Sequence, residues 1–201
     1  MIIDRLFLFL IGGNLKMVKS KLNRCEWVQG KADYYIEYHD QVWGKIVKED
    51  KELFKWLSLE IFHIGLSWQI VLSKYDAFMK AFDDFDYRRV AQYDDKKIKN
   101  LMNNEEIIRH QKKIEAIIHN AKQIEKIQRE YGSFYHYLWS FTDGNQIRTS
   151  EKNRVKKSEL SDQLTKDLKN KGFNFIGSVT IYSYLEAIGI MNNHDLNCDF
   201  R

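Results

Sequence analysis

Lys171-Gly172-Phe173-Asn174-Phe175-Ile176-Gly177-Ser178 is the stretch on which the fold turns. It lies between two segments of helical periodicity, Leu160 to Lys171 and Ser178 to Ile188, so it reads as a hairpin between two helices. The first glycine suits a helix C-cap. The second stands immediately before a helix start, where free N–H groups and the positive helix end favour a phosphate. Lys166, Lys169 and Lys171 add the cationic charge that a nucleic-acid backbone attracts. An ordinary helix end followed by a helix start looks the same, so the hairpin alone names no ligand.

Upstream the helical period continues from about Asp33. Lys51 to Phe62 places Leu53, Phe54, Leu57 and Ile61 on one stripe. Gly65 breaks it, and Ser67 can N-cap a helix over Trp68 to Phe82. Val90 to Met102 and Ile107 to Ile127 repeat the pattern. In the latter, Ile114, Ile117, Ile118, Ala121 and Ile124 form one face, with Lys112, Lys113, Glu115, Lys122 and Lys126 on the other. Ser133 to Phe141 reads as a short aromatic helix, Asp143-Gly144-Asn145 as a turn, and the polar Gln146 to Ser158 as a loop. With no repeat and no convincing β-hairpin, the expected class is all-α.

The chain has 201 residues, 44% hydrophobic and 14% aromatic, ample for one packed domain or two small lobes sharing a core. A net charge of +4 permits nucleic-acid binding without requiring it. The apolar run Leu6 to Ile11 is too short to span a bilayer. Asp4 beside Arg5 spoils a basic leader, and no small-residue cleavage site follows. Met17 is therefore the expected native start, with residues 1–16 an upstream extension outside the fold. No membrane attachment is expected, and a cytoplasmic location is.

Three constellations carry chemistry. Cys25 and His39 lie near one end of the chain and His194 and Cys198 near the other. Two thiolates and two imidazoles complete a tetrahedral zinc set, and the spacing of four places His194 and Cys198 on one face of a helical turn. A disulfide, which needs an oxidising compartment, and two unrelated buried thiols fit the same count. Next, Glu60 ends an amphipathic helix just before a glycine turn carrying Leu66 and Trp68. A carboxylate among aromatic groups can bind a cation, although a helix-end glutamate is more often simply solvated. Finally, Trp27, Tyr34, Tyr35, Tyr38 and Trp43 are dense enough to cage a flat, cationic ring, or to form the core of a small lobe.

The order of these elements is more telling than any one of them. R-C-E-W is followed by Y-Y-I-E-Y-H-D-Q-V-W-G, L-E-x-x-x-x-G-L-S-W, I-I-R-H-x-x-K-I-E-A-I-I-x-N-A, F-x-x-x-L-W-S-F, L-x-x-x-G-F-N-F-I-G-S-V-T-I-Y-S-Y-L-E-A-I-G and N-x-H-x-x-x-C. From Arg24 to Cys198 this resembles the bacterial 3-methyladenine DNA glycosylase I family. The resemblance implies a helix-hairpin-helix glycosylase that flips 3-methyladenine out of alkylated double-stranded DNA and hydrolyses its glycosidic bond. It implies a second small helical lobe closed by a structural zinc on Cys25, His39, His194 and Cys198, with no organic cofactor. By the same similarity Glu60 reads the methylated base, Tyr38 and Trp68 stack on it, and Trp27, Tyr35 and Trp43 line the pocket. Gly65 and Leu66 approach the gap left by the flipped nucleotide, and Gly172, Gly177, Ser178 and Lys171 hold the backbone. The helix Ser178 to Ile188 has no lysine, so simple hydrolysis without strand cleavage is expected, from a single domain over 17–201 acting as a monomer. A catalytically silent damage-binding module is the competing expectation. The chain departs from the family pattern at His63-Ile64, where Gln-Ala is usual.

Overall fold

A computed structural model describes residues 22–149 and 155–201 in full, and the backbone of 6–11 and 14–19. Ten helices carry the described fold: α1 (Asp33–Gln41), α2 (Asp50–His63), α3 (Trp68–Leu72), α4 (Tyr75–Ala81), α5 (Tyr87–Val90), α6 (Asp95–Asn103), α7 (Gln111–Tyr131), α8 (Phe134–Trp139), α9 (Glu159–Asn170) and α10 (Ser178–Ala187). Short polar side chains start many of them. Ser67, Asp86, Asp94, Ser133 and Ser158 each accept a backbone N–H of the first turn, and Ser158 and Ser161 cap one another reciprocally.

The centre is α2. Every residue from Leu53 to Phe62 is buried, as expected of a helix that is covered on all sides. It packs against α3, α7, α8 and α10, so the helix is held by four neighbours along its length. Phe54, Leu57, Ile61 and Phe62 are fully buried there.

The all-α expectation holds for the architecture, with two corrections. Strands β1 (Leu6–Ile11) and β2 (Asn14–Lys19) pair antiparallel, Ile11 opposite Asn14, whereas no hairpin was expected. The intervening Gly-Gly dipeptide is itself a tight-hairpin signal. Residues 1–5, 12 and 13 of the expected extension lie outside the described residues. A two-residue parallel bridge, β3 (Ile147–Arg148) with β4 (Met191–Asn192), ties the start of the 146–158 loop to the C-terminal tail; residues 150–154 of that loop lie outside the described residues.

Two predicted helices are each broken in two. Trp68–Phe82 splits at Ser73-Lys74, where Lys74 takes a non-helical ψ of 12°. The break lets the Tyr75 ring stack on Trp56 and its hydroxyl accept from Lys55. Val90–Met102 splits at 91–94, where Asp94 caps α6. Lys113, expected on the solvated face of α7, is buried. It stands on the stripe of Ile117, Asn120 and Ile124, and its ammonium donates to the carbonyls of Phe62 and Ile64 at 2.9 and 2.5 Å. Those carbonyls at the C-terminal end of α2 would otherwise lack partners.

The 44–47 segment meets the end of α10 through one close backbone approach. Gly44 N donates to Glu186 O and Val47 N to Ile188 O. Gly189 has a φ of 76°, and a Cβ there would lie 2.2 Å from the Lys45 carbonyl. Only glycine allows the 44–47 segment to lie against the end of α10.

Candidate active site and metal centre

Cys25, His39, His194 and Cys198 are all buried, and their ligand atoms lie within 4.8 Å of one another. Cys198 Sγ is 3.3 Å from His194 Nδ1 and 3.6 Å from His39 Nε2, and Cys25 Sγ is 3.5 Å from His194 Nδ1. The other nitrogen of each ring is already committed. His39 Nδ1–H donates to Asp40 Oδ1 at 2.7 Å, and His194 Nε2–H donates to the Trp43 carbonyl at 2.9 Å. Each bond leaves the cluster-facing nitrogen with a lone pair, as metal-ligating histidines require. Asp40 is held in turn by Arg24, 2.8 Å away.

Burial pushes the Cys25 thiol up to about 12, partly opposed by the Asp195 N–H that donates to it. A bound cation is what would let two thiolates coexist here. The residues therefore fit a metal ion with four protein ligands. His194 and Cys198 do not share a helix, as the spacing suggested. A single turn, closed by Cys198 N donating to Asp195 O, brings them together.

This cluster touches an aromatic wall. Trp43 lies 4.6 Å from the His194 ring, and Trp27 lies 5.2 Å from His39 and 5.0 Å from Trp43. Trp27 and Tyr35 meet edge to face at 5.6 Å. Beyond them Tyr38, on α1, meets Trp68, on α3, at 5.3 Å. Between these groups lies a cavity of about 180 Å³ lined by Trp27, Tyr35, Tyr38, Trp43 and Trp68 together with Glu60, His63, Ser183 and Glu186. All five aromatic residues singled out as pocket candidates, and the carboxylate, converge on it. Tyr34 does not; it faces a larger groove of about 670 Å³ beyond Tyr38.

Glu60 is 3% exposed. Burial raises its carboxyl above the ordinary range, opposed by the hydrogen bond from His63 Nδ1, 3.0 Å from Oε2. Burial and the nearby Glu60 likewise push the Tyr38 hydroxyl up. A buried carboxylate with one hydrogen-bond donor, surrounded by ring faces, is suited to a flat cation. Sequence reading missed Ser183 and Glu186. They share one face of α10, and Glu186 is the sole charged residue of that helix, a signal that was there to be read.

The glycine turn after α2 exposes Ile64 and Leu66 at 37% and 38%, and α3 exposes Ile70 at 43%. Gly65 has a φ of 79°. The other predicted DNA contacts lie on the hairpin between α9 and α10. Gly172 has a φ of 89°, and its carbonyl accepts from His119 of α7. Gly177 is extended and caps α10, whose first residue is Ser178. Lys171 turns away from the hairpin rim: its ammonium pairs with Glu130 at 3.0 Å and lies over Tyr131 and Tyr137.

No helix among the described residues is long and apolar enough to cross a membrane. The methyladenine glycosylase family model matches residues 27–201. The chain is 36% identical over 178 residues to a DNA-3-methyladenine glycosylase of Haemophilus influenzae, spanning 87% of this chain and 96% of that protein. It is 34% identical over 181 residues to DNA-3-methyladenine glycosylase 1 of Escherichia coli, spanning 88% and 96%. A solved 3-methyladenine DNA glycosylase I in complex with 3-methyladenine superposes with a TM-score of 0.84 at 40% identity, covering 89% of this chain and 97% of that one. The Staphylococcus aureus 3-methyladenine DNA glycosylase I, solved for its recognition of 3-methyladenine, gives 0.83 at 40% identity, with 89% and 96% covered. Motif order, helical architecture and these matches agree, and the chain belongs to the methyladenine glycosylase family.

Proposed function

We propose that this protein is a DNA glycosylase that hydrolyses the N-glycosidic bond of 3-methyladenine in alkylated double-stranded DNA. The observation that carries the reading is the buried Glu60 carboxylate among Trp27, Tyr35, Tyr38, Trp43 and Trp68. Methylation at N3 makes adenine cationic in DNA, so its bond to the sugar is already weakened. When that bond breaks the base leaves neutral, water adds to the sugar carbon, and one proton goes to solvent. The protein's task is then to draw the cationic base out of the stack, which costs a few kcal/mol. Ring faces and one carboxylate offset that cost for a cation more than for a neutral adenine. Tyr38 and Trp68 stack on the base, Trp27, Tyr35 and Trp43 line its edge, and Glu60 supplies the opposing charge.

DNA is held by the first turn of α10 at Gly177 and Ser178 and by the hairpin from Gly172, with Gly65 and Leu66 at the vacated base stack. The reaction is monofunctional, since neither α10 nor the cavity wall carries a lysine able to form a Schiff base. The metal is a structural zinc. Zinc bonds of about 2.3 Å to sulfur and 2.0–2.1 Å to nitrogen place neighbouring S and N ligands about 3.5 Å apart in a tetrahedron. The S···N distances here, 3.3 to 3.6 Å, support that ion. The working unit is residues 17–201, a cytoplasmic monomer.

Quantifying the bases released from methylated duplex DNA tests the reading. Wild-type protein releases free 3-methyladenine and leaves the strand intact, Glu60→Gln loses at least about 100-fold, and elemental analysis finds one zinc per chain. Binding to damaged DNA with no base released would make the protein a silent recognition module and end the enzymatic reading.

A further inference from the structure

His63 is the one residue of the cavity wall that bonds directly to Glu60 through a titratable ring. It sits three residues on in the last turn of α2, its Nδ1 3.0 Å from Oε2. Its side chain is 32% exposed while that of Glu60 is 3% exposed. Protons can thus reach the histidine from solvent, and the buried carboxylate feels its charge at contact distance. The ring also lies 5.1 Å from Trp68, at the place where a base would stack.

We propose that His63 is a positioning residue whose charge state sets the pocket's preference for a cationic base. Neutral, it donates Nδ1–H to Glu60 and leaves the carboxylate's full charge to the ligand. Protonated, it cancels that charge, and a cationic base must expel the proton to bind. Burial raises the Glu60 carboxyl, and the hydrogen bond and charge of His63 oppose that rise. Other polar groups face the same region: Lys113 of α7 binds the carbonyls on either side of His63, and Tyr35 and Tyr38 of α1 and Glu186 of α10 line the cavity with it.

The inference rests on the glycosylase reading for its choice of ligand, a cationic purine. The probe is an adenine methylated at N3 and N9, which is permanently charged. Its affinity is measured by tryptophan fluorescence across pH, and the His63 midpoint by NMR on the same wild-type protein. Below that midpoint wild-type affinity falls about tenfold per pH unit, the slope of one displaced proton, and saturating probe lowers the midpoint itself. His63→Gln keeps an amide donor without a titratable charge. The fall that remains in it is that of Glu60 alone, so its profile departs from the wild-type one across the His63 midpoint. Parallel pH profiles in the two proteins, or a midpoint that the probe does not move, overturn the proposal. Base release from methylated DNA above the midpoint is scored separately, so its absence would overturn the glycosylase reading while the probe data still decide the role of His63.

Discussion

Asn120 and Asn174, 54 residues apart, exchange two hydrogen bonds: the Asn120 side-chain amide donates to the Asn174 carbonyl at 3.0 Å, and Asn174 N–H donates to Asn120 Oδ1 at 2.8 Å. One fully buried amide on α7 thereby imitates a strand partner for the hairpin between α9 and α10. Together with His119, which donates to the Gly172 carbonyl at 2.8 Å, it fixes the hairpin from behind. The hairpin's outer side, leading into the first turn of α10, is the face proposed to hold DNA.

Asn120→Ala removes both bonds and leaves a space behind the hairpin. A loss of about 2 kcal/mol is expected, lowering the melting temperature by about 2–4 °C per kcal/mol. Affinity for duplex DNA is expected to fall, whereas binding of free 3-methyladenine is not, because neither Asn120 nor the hairpin lines the base cavity. Denaturant titration and two binding isotherms check this. Equal losses for DNA and for free base would show that the amide supports the whole molecule rather than the hairpin.

Asp40 holds the His39 ring and is itself held by Arg24, so it would act at one remove on a metal bound by the cluster. Asp40→Asn keeps the shape and weakens both bonds. Metal affinity drops 10–100-fold, read by competition with a chromogenic chelator. Trp27 and Trp43 rest on His39 and His194, so stripping the metal also loosens the aromatic wall. Added chelator is expected to lower both the melting temperature and the affinity for free base.

Helices, hairpin and ligand set were legible because each is written in residues close together or in an unusual donor chemistry. The α2 stripe, the two hairpin glycines and the two Cys/His pairs needed no partner to be recognised. What escaped depends on distant chain. The break before Tyr75 lets that ring lie on Trp56, in the middle of a different helix. Lys113 looked solvated because its partners, two carbonyls at the end of α2, lie 51 and 49 residues away. Its position four before Ile117, on the buried stripe, was the clue. Glu186 joined the cavity only once α10 had been laid against α2 and the 44–47 segment against Gly189.

Leu66 stands 38% exposed on the turn beside the cavity mouth, flanked by exposed Ile64 and Ile70. An apolar side chain there can occupy the space a flipped base leaves. Leu66→Ala is expected to slow release of 3-methyladenine from duplex DNA by roughly 10- to 100-fold. Release from methylated single strands changes little, since no stack needs filling. Stability stays within about 0.5 kcal/mol, as for most surface changes. Equal slowing on both substrates would remove the wedge role.

Glu60 sets function against stability, and the sign can be worked out. Burial holds its carboxyl above the ordinary range in the folded protein. The folded state therefore binds this proton more tightly than the unfolded state does. Stability from this group is full below the unfolded carboxyl value of about 4.3 and is lost as pH rises through the folded value. Glu60→Gln carries no such loss. Its melting temperature should exceed that of wild type by a margin that widens between pH 5 and pH 8, at about 2–4 °C per kcal/mol relieved, while base release disappears. Calorimetric melting curves of the two proteins at matched pH decide it. A margin that narrows towards pH 8 would mean that the free pocket already favours the ionised carboxylate, and the cationic base would then gain its hold without lifting a buried-charge penalty.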